Sequence, residues 1–298
     1  MNKTFSFYAS SDLWSDERSY QNRYLLCLIE DIESHAFPVK LNDRSPIVTL
    51  QNEDDKLLDL FTSEHNDIDN FFRNYFKDLI CYKKIAFEIC SSGIEKNIEL
   101  RYFPAQSLRY SFMKGKYYQN FHKNTKFLGY IDKFPKRVYF NKDDFFIIKT
   151  PKIFLKTFSN FIIPSKILQK TENLDIFLKC REQCISENSI YEKTLFQHRI
   201  FSVVGRCRFN NQEYLTEYYD SWCYLKFAKF VAIAREDFMV QMNLFLKAIC
   251  KKLKLQDNKF ITNNIVSSSE YSEIETKLKK NEISFKEVVN KVFNNYGK

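Results

Sequence analysis

Residues 66–90, NDIDNFFRNYFKDLICYKKIAFEIC, decide how the chain is read. Asn66 or Asp67 can cap a helix, and acidic residues fill its first turn, where the helix dipole favours negative charge. Ile68, Phe71, Phe72, Tyr75, Phe76, Leu79 and Ile80 recur at helical spacing and form one apolar face. A strand-type run, Ile85 to Cys90, follows directly, and Ser91-Ser92-Gly93 reads as a turn. Ile98 to Phe103 is a second strand, stopped by Pro104. Arg137 to Phe140 and Phe145 to Ile148 are further strands on either side of a turn at 141–144. Helix, hairpin, long excursion and strands make an α+β unit whose sheet packs on the helix.

Outward from this unit, 19–37 reads as a helix with Tyr20, Tyr24, Cys27, Leu28 and Ile32 on one face, ended by Pro38. Residues 47–50 are extended. Glu53 to Thr62 is a short helix with an acidic start. All six prolines lie at or before Pro164, and no glycine occurs between Arg206 and Tyr296, so the second half is predicted to be mainly helical. One helix is expected over 171–197 and a short connection over 200–211. A second long helix is expected over 212–255. Its stripe runs Tyr214, Tyr218, Trp222, Leu225, Ala228, Val231, Ala234, Phe238, Met242, Phe245, Ile249, Leu253, in steps of three or four. At ~1.5 Å per residue it is a rod of roughly 60 Å, which either breaks or spans something large. Residues 260–266 read as a strand or extended pairing segment. Ser267 with Glu270 and Ser284 with Glu287 offer capping-box spacing for two terminal helices.

The 298 residues are 44% hydrophobic, enough for one or two domains with a sizeable core. No apolar run approaches the ~18 residues of a membrane span, and the first residues lack signal-peptide order, which points to a soluble cytoplasmic protein. The eight cysteines mostly sit among apolar neighbours and read as reduced core residues. The net charge of +9 is unevenly spread. Residues 1–70 hold 6 Lys and Arg against 14 Asp and Glu, whereas 71–170 hold 20 against 7. Either the basic block meets nucleic acid, or the two poles meet across a subunit interface.

Catalytic motifs are absent. None of His35, His65, His122 and His198 lies in a metal-ligand pattern, and there is no phosphate-cradling glycine loop. Cys180 and Cys184 share a helix face but lack partners for a metal site; Asp143-Asp144 reads as a turn with a cap. No cofactor and no metal is expected. One pattern stands out, in which cations are interleaved with rings: Arg109, Tyr110, Lys114, Lys116, Tyr117, Tyr118, Phe121, Lys123, Lys126, Phe127, Tyr130, Lys133, Lys136 and Arg137. Its candidate contacts are Arg109, Lys114, Lys116, Tyr117, Tyr118, Lys123, Lys126, Lys133, Lys136 and Arg137. Such a segment suits nucleic acid, with phosphates on the cations and bases on the rings. The competing reading is a solvated, strand-rich surface.

The order of these signals resembles the portal proteins of tailed phages, in their compact, short-tailed-phage form. The residues carrying the resemblance are YQNRYLLCLIEDIESHAFP (20–38), FFRNYFKDLICYKKIAFEIC (71–90), IELRYFPAQSLRYSF (98–112) and RVYFNKDDFFIIK (137–149). REDFMVQMNLFLKAICKKLKL (235–255), NIVSSSEYSEIETKL (264–278) and KKNEISFKEVVNKV (279–292) continue it. Together they cover about half of the chain as patterns of residue class. The resemblance implies a wing-like α/β region over 1–165 and a stem-like helical hairpin over 166–258, containing two long helices. A C-terminal extended segment with helices follows over 259–298. It further implies a non-enzymatic ring, of twelve copies, that forms the channel for DNA packaging and ejection. Double-stranded DNA, the packaging motor and capsid and tail proteins would be its partners. It would reside in the virion, and in the host cytoplasm during assembly. Trp222, Phe238 and Phe245 are then the expected subunit-packing residues. The alternative is an accessory nucleic-acid-binding protein that uses 109–137 directly.

Overall fold

The computed structural model describes residues 28–38, 46–63, 65–82, 84–91, 98–104, 108–120, 137–141, 143–154, 217–288 and 290. The expected helix at 171–197 and the connection at 200–211 lie outside them, as do Cys180 and Cys184.

Helix α1 (28–36) buries Leu28, Ile29, Ile32 and Ala36, followed by the buried Phe37. Helix α2 (Asp55–Thr62) starts at Asp54, whose carboxylate accepts the Leu57 N–H at 3.1 Å. Helix α3 (Ile68–Tyr82) starts after Asp67, which accepts the Asn70 N–H at 2.7 Å. Every apolar residue read onto the α3 face, from Ile68 to Ile80, is buried. Asp69 in its first turn is also buried and accepts the N–H groups of Ile47 and Val48 at 3.0 and 2.8 Å. This carboxylate satisfies two backbone donors and ties strand β1 (Val48–Leu50) to the helix.

Strands β2 (Lys84–Ser91), β3 (Ile98–Pro104) and β7 (Phe145–Lys149) form an antiparallel sheet in the order β3-β2-β7. A second antiparallel sheet, β4-β5-β6, comprises Leu108–Ser111, Lys116–Asn120 and Arg137–Tyr139. The strands flanking the 141–144 turn therefore do not form a hairpin with each other. β6 pairs with β5, whereas β7 pairs with β2, with Ile85 opposite Ile148 and Phe87 opposite Phe146. Burial decides this: Ile85, Phe87 and Ile89 face the helices and need apolar neighbours on that face. The other face of β2 carries Ala86, which clusters with Phe103, Phe140, Phe145 and Ile147. Onto that cluster the second sheet adds Leu108 and Tyr117. The result is three layers: helices, the β3-β2-β7 sheet, and the β4-β5-β6 sheet. Mixed α+β architecture was the expectation, and it is what the described residues have.

Helix α4 (Glu217–Leu253) is continuous over 37 residues, a span of ~55 Å. The stripe positions Leu225, Ala228, Val231, Ala234, Phe238, Met242, Phe245 and Ile249 are all buried. So are Phe227, Phe230, Ala232, Arg235, Met239, Leu246 and Cys250, which widens the stripe to most of the circumference. Two neighbours account for this. One is the N-terminal unit: Phe238 meets Phe37, Phe72 and Phe76, and Phe245 stacks on Phe87 at 5.1 Å. The other is helix α5 (Ser268–Lys279), whose Tyr271 and Leu278 close on Leu225, Ala228 and Ala232. The long helix thus has its cover within the chain and packs into the first half instead of standing apart from it. Its side chains also finish the sheet. Gln241 exchanges two 2.8 Å hydrogen bonds with the Lys149 backbone on the outer edge of β7, an edge otherwise open to pairing.

After α4 the chain turns at Lys254 (φ 57°) and returns as β8 (Phe260–Thr262), which pairs antiparallel with β1. The pairing segment expected at 260–266 thus finds its partner 210 residues earlier, at Leu50 opposite Phe260. Both capping boxes form: Ser267 with Glu270, and Ser284 with Glu287 at 2.7 Å from the Ser284 N–H. One core cluster runs from Leu28 to Phe260, so residues of all three expected regions are joined along it or through α5.

Candidate nucleic-acid interface

The segment that stood out for its interleaved cations and rings is, where described, mostly sheet and not loop. β4 and β5 are joined by a turn, Phe112–Gly115, with Gly115 in the left-handed region at φ 59°. Without a Cβ, glycine enters that region at no steric cost, which lets four residues reverse the strand. Pairing places Arg109 opposite Tyr118 and Ser111 opposite Lys116; Tyr118 in turn lies opposite Tyr139, and Asn120 opposite Arg137. Directly opposed residues share a face, and so do residues two apart on one strand. Arg109, Lys116, Tyr118, Arg137 and Tyr139 therefore gather on one face. Leu108, Tyr117 and Phe140 occupy the other and pack inward.

The outward face has an aromatic floor and a cationic rim. Tyr118 and Tyr139 are half-buried, with ring centroids 5.4 Å apart. The Arg137 guanidinium lies 5.3 Å from the Tyr118 centroid, and Lys114 Nζ lies 4.1 Å from that of Tyr139. Each such contact holds a cation in place at a cost to the ring of nothing but its exposed face, worth about 0.5–1 kcal/mol at a surface. Arg109, Lys114, Lys116 and Arg137 are exposed and form no ion pair with a described residue. The stretch 108–120 contains no Asp or Glu at all. Held but unneutralised cations on a flat aromatic surface can take phosphate oxygens without first breaking internal salt bridges.

At the turn, Phe112 is 90% and Met113 100% exposed. Phe112 and Tyr110 form a T-shaped pair at 5.1 Å, with the ring planes at 87°, and the Phe112 side chain stays almost wholly accessible.

Of the residues singled out from sequence, Arg109, Lys114, Lys116, Tyr118 and Arg137 come together. Tyr117 does not join them: it sits on the inward face, 5.7 Å from Phe145. Lys123, Lys126, Lys133 and Lys136 lie outside the described residues. Tyr139 and Phe112 were not singled out. Tyr139 could have been found by counting two residues on from Arg137 along a strand; the exposure of Phe112 depends on the turn geometry, which its apolar character conceals. Phe238 and Phe245 are buried inside the chain itself, and Trp222 is half-buried with Lys279 Nζ 5.2 Å from its ring.

Elsewhere, a cleft of about 400 Å³ lies between Ile153, α4 and α5. Its Lys229 and Glu275 are paired at 2.7 Å, which spends their charge on each other. Glu88 is half-buried and accepts a hydrogen bond from Cys90 Sγ at 3.4 Å. Burial and the Glu88 carboxylate push the Cys90 thiol up to about 11, so it stays protonated and unreactive at neutral pH. Among the described residues no group of three or more His, Cys, Asp or Glu side chains is placed to hold a metal ion. No described helix is long and apolar enough to cross a membrane. No protein-family model matches the chain, and no curated protein matches it either.

Proposed function

We propose that the chain is a ring-forming portal subunit of a tailed phage, a non-enzymatic connector that forms the channel for DNA packaging and ejection. The observation that carries this reading is the order of elements. Helix α3 feeds β2 almost without a break, β3 returns beside it, a separate sheet is inserted, and β7 comes back to β2. A long helix, a short pairing segment and a capped terminal helix follow. That is the order the resemblance implies at 71–90, 98–112, 137–149 and 235–292.

A ring also needs two different faces per subunit, because a head-to-tail contact repeats without being self-complementary. Apart from the β4–β5 hairpin, exposed large apolar side chains among the described residues are Leu58 on α2, Val240 and Leu244 on α4 and Ile261 on β8. The acidic 1–70 and basic 71–170 blocks supply opposite charge for such a contact. Double-stranded DNA, the packaging motor and capsid and tail proteins are the partners this function requires, in the virion and in the host cytoplasm during assembly. Native mass spectrometry of the purified chain tests the proposal. A closed particle near twelve times 35.8 kDa is expected, whereas a monomer at every concentration rejects it.

A second reading is favoured by the outward face of the β4-β5-β6 sheet. On it the chain is an accessory nucleic-acid-binding protein that works as a monomer or dimer. Strongly salt-dependent DNA binding by a species of 35.8 kDa or twice that mass would select it.

A further inference from the structure

We infer that the β4–β5 hairpin binds single-stranded nucleic acid, with the Phe112 ring stacking on a base and Arg109, Lys114, Lys116 and Arg137 holding the phosphates. The inference rests on the nucleic-acid reading of the sheet face and is independent of ring formation. Charge identifies the ligand as a polyanion, since the hairpin has three cations over 108–120 and no acid, and Arg137 adds a fourth from β6. The turn then separates strand from duplex. Phe112 and Met113 project almost wholly into water, flanked within four residues by Lys114 and Lys116. A duplex keeps its base faces stacked and offers such a tip only phosphates and groove edges. An unpaired strand offers open base faces, and stacking one on Phe112 removes both apolar surfaces from water. The floor contributes differently. Lys114 and Arg137 are already seated on Tyr139 and Tyr118, so they meet the backbone pre-positioned, with less side-chain entropy to lose.

The test is fluorescence anisotropy on the full chain with three probes: an oligo-dT of about 15 nucleotides, a duplex of the same length, and inorganic polyphosphate of matched charge. The oligo-dT should bind most tightly. Phe112→Ala should weaken it by about tenfold and leave polyphosphate binding unchanged. Lys116→Glu should weaken all three and lower the salt slope for the single strand by about 0.7. Phe112 is 90% exposed, so the variant should keep the wild-type circular dichroism and thermal midpoint. Equal affinity for the three probes, or an unchanged Phe112→Ala, overturns the single-strand inference. It is likewise overturned if Phe112→Ala spares oligo-dT binding but abolishes ring assembly or sedimentation with phosphatidylserine vesicles. Failure of all three probes to bind wild type removes the nucleic-acid reading of the face itself.

Discussion

Truncating Phe238 to alanine probes where the long helix finds its cover. Phe238 is 0% exposed, and its ring meets Phe76 at 5.3 Å, Phe72 at 5.8 Å and Phe37 at 6.1 Å. The substitution withdraws roughly 150 Å² of buried apolar surface, which at ~25 cal/mol per Å² is about 4 kcal/mol. Of its three neighbours, Phe72 and Phe76 belong to α3 and Phe37 follows α1 directly, and all are themselves held by further rings, so the cavity has little room to collapse. That favours the full value, within the ~3–5 kcal/mol usual for Phe→Ala in a core. Val240→Ala on the same helix, at a side chain 59% exposed, should change stability by no more than about 0.5 kcal/mol. Urea unfolding followed by far-ultraviolet circular dichroism measures both. Phe238→Leu, expected to cost about 1–1.5 kcal/mol, keeps the experiment readable if the alanine variant does not fold. The loss should be the same at every protein concentration, because the covering rings belong to the same chain. A Phe238→Ala as mild as Val240→Ala refutes the reasoning. So does a loss that vanishes when concentration is raised, since that would place the cover on a neighbouring subunit.

Two further substitutions test the polar ties. Asp69→Ala strands the N–H groups of Ile47 and Val48 and should cost about 3 kcal/mol, with the Val48 amide losing hydrogen-exchange protection first; unchanged exchange there would mean that β1 is held by β8 alone. Asp144 accepts a hydrogen bond from Lys252, and this bond, aided by one from Asn141 and opposed by slight burial, lowers its carboxyl below the ordinary value of 3.8. A carboxyl lowered in the folded state stabilises it fully above the unfolded value and stops doing so as pH falls through the folded one. Asp144→Asn should therefore cost up to about 1 kcal/mol at pH 7 and flatten the stability curve below pH ~4, whereas an unchanged acid limb would show the pair to be energetically idle.

The sequence by itself determined the local elements. The α3 face was legible from Ile68 to Ile80, and Asp67 as its cap. So were the strand limits at Pro104, the stripe of α4 and both Ser/Glu capping boxes. Each of these is written within a few residues, as a side-chain period or a side chain reaching its own backbone, and needs no distant partner. The basic-aromatic segment was legible as a composition for the same reason. Tertiary structure alone decided which elements meet. Whether β6 pairs with β7 across a short turn or with β5 depends on which faces of β2 must be covered, and β2 is buried on both. The β1–β8 pair joins segments 210 residues apart, each legible as extended but with nothing local to name its partner. Strand register then sorted the candidate site, sending Tyr117 inward, keeping Tyr118 outward and bringing in Tyr139, because a shift of one residue exchanges the faces of a strand. Helix α4 shows the same division. Its period was visible along the chain, but the breadth of its burial was not, because that breadth comes from packing against α3 and the sheet on one side and α5 on the other.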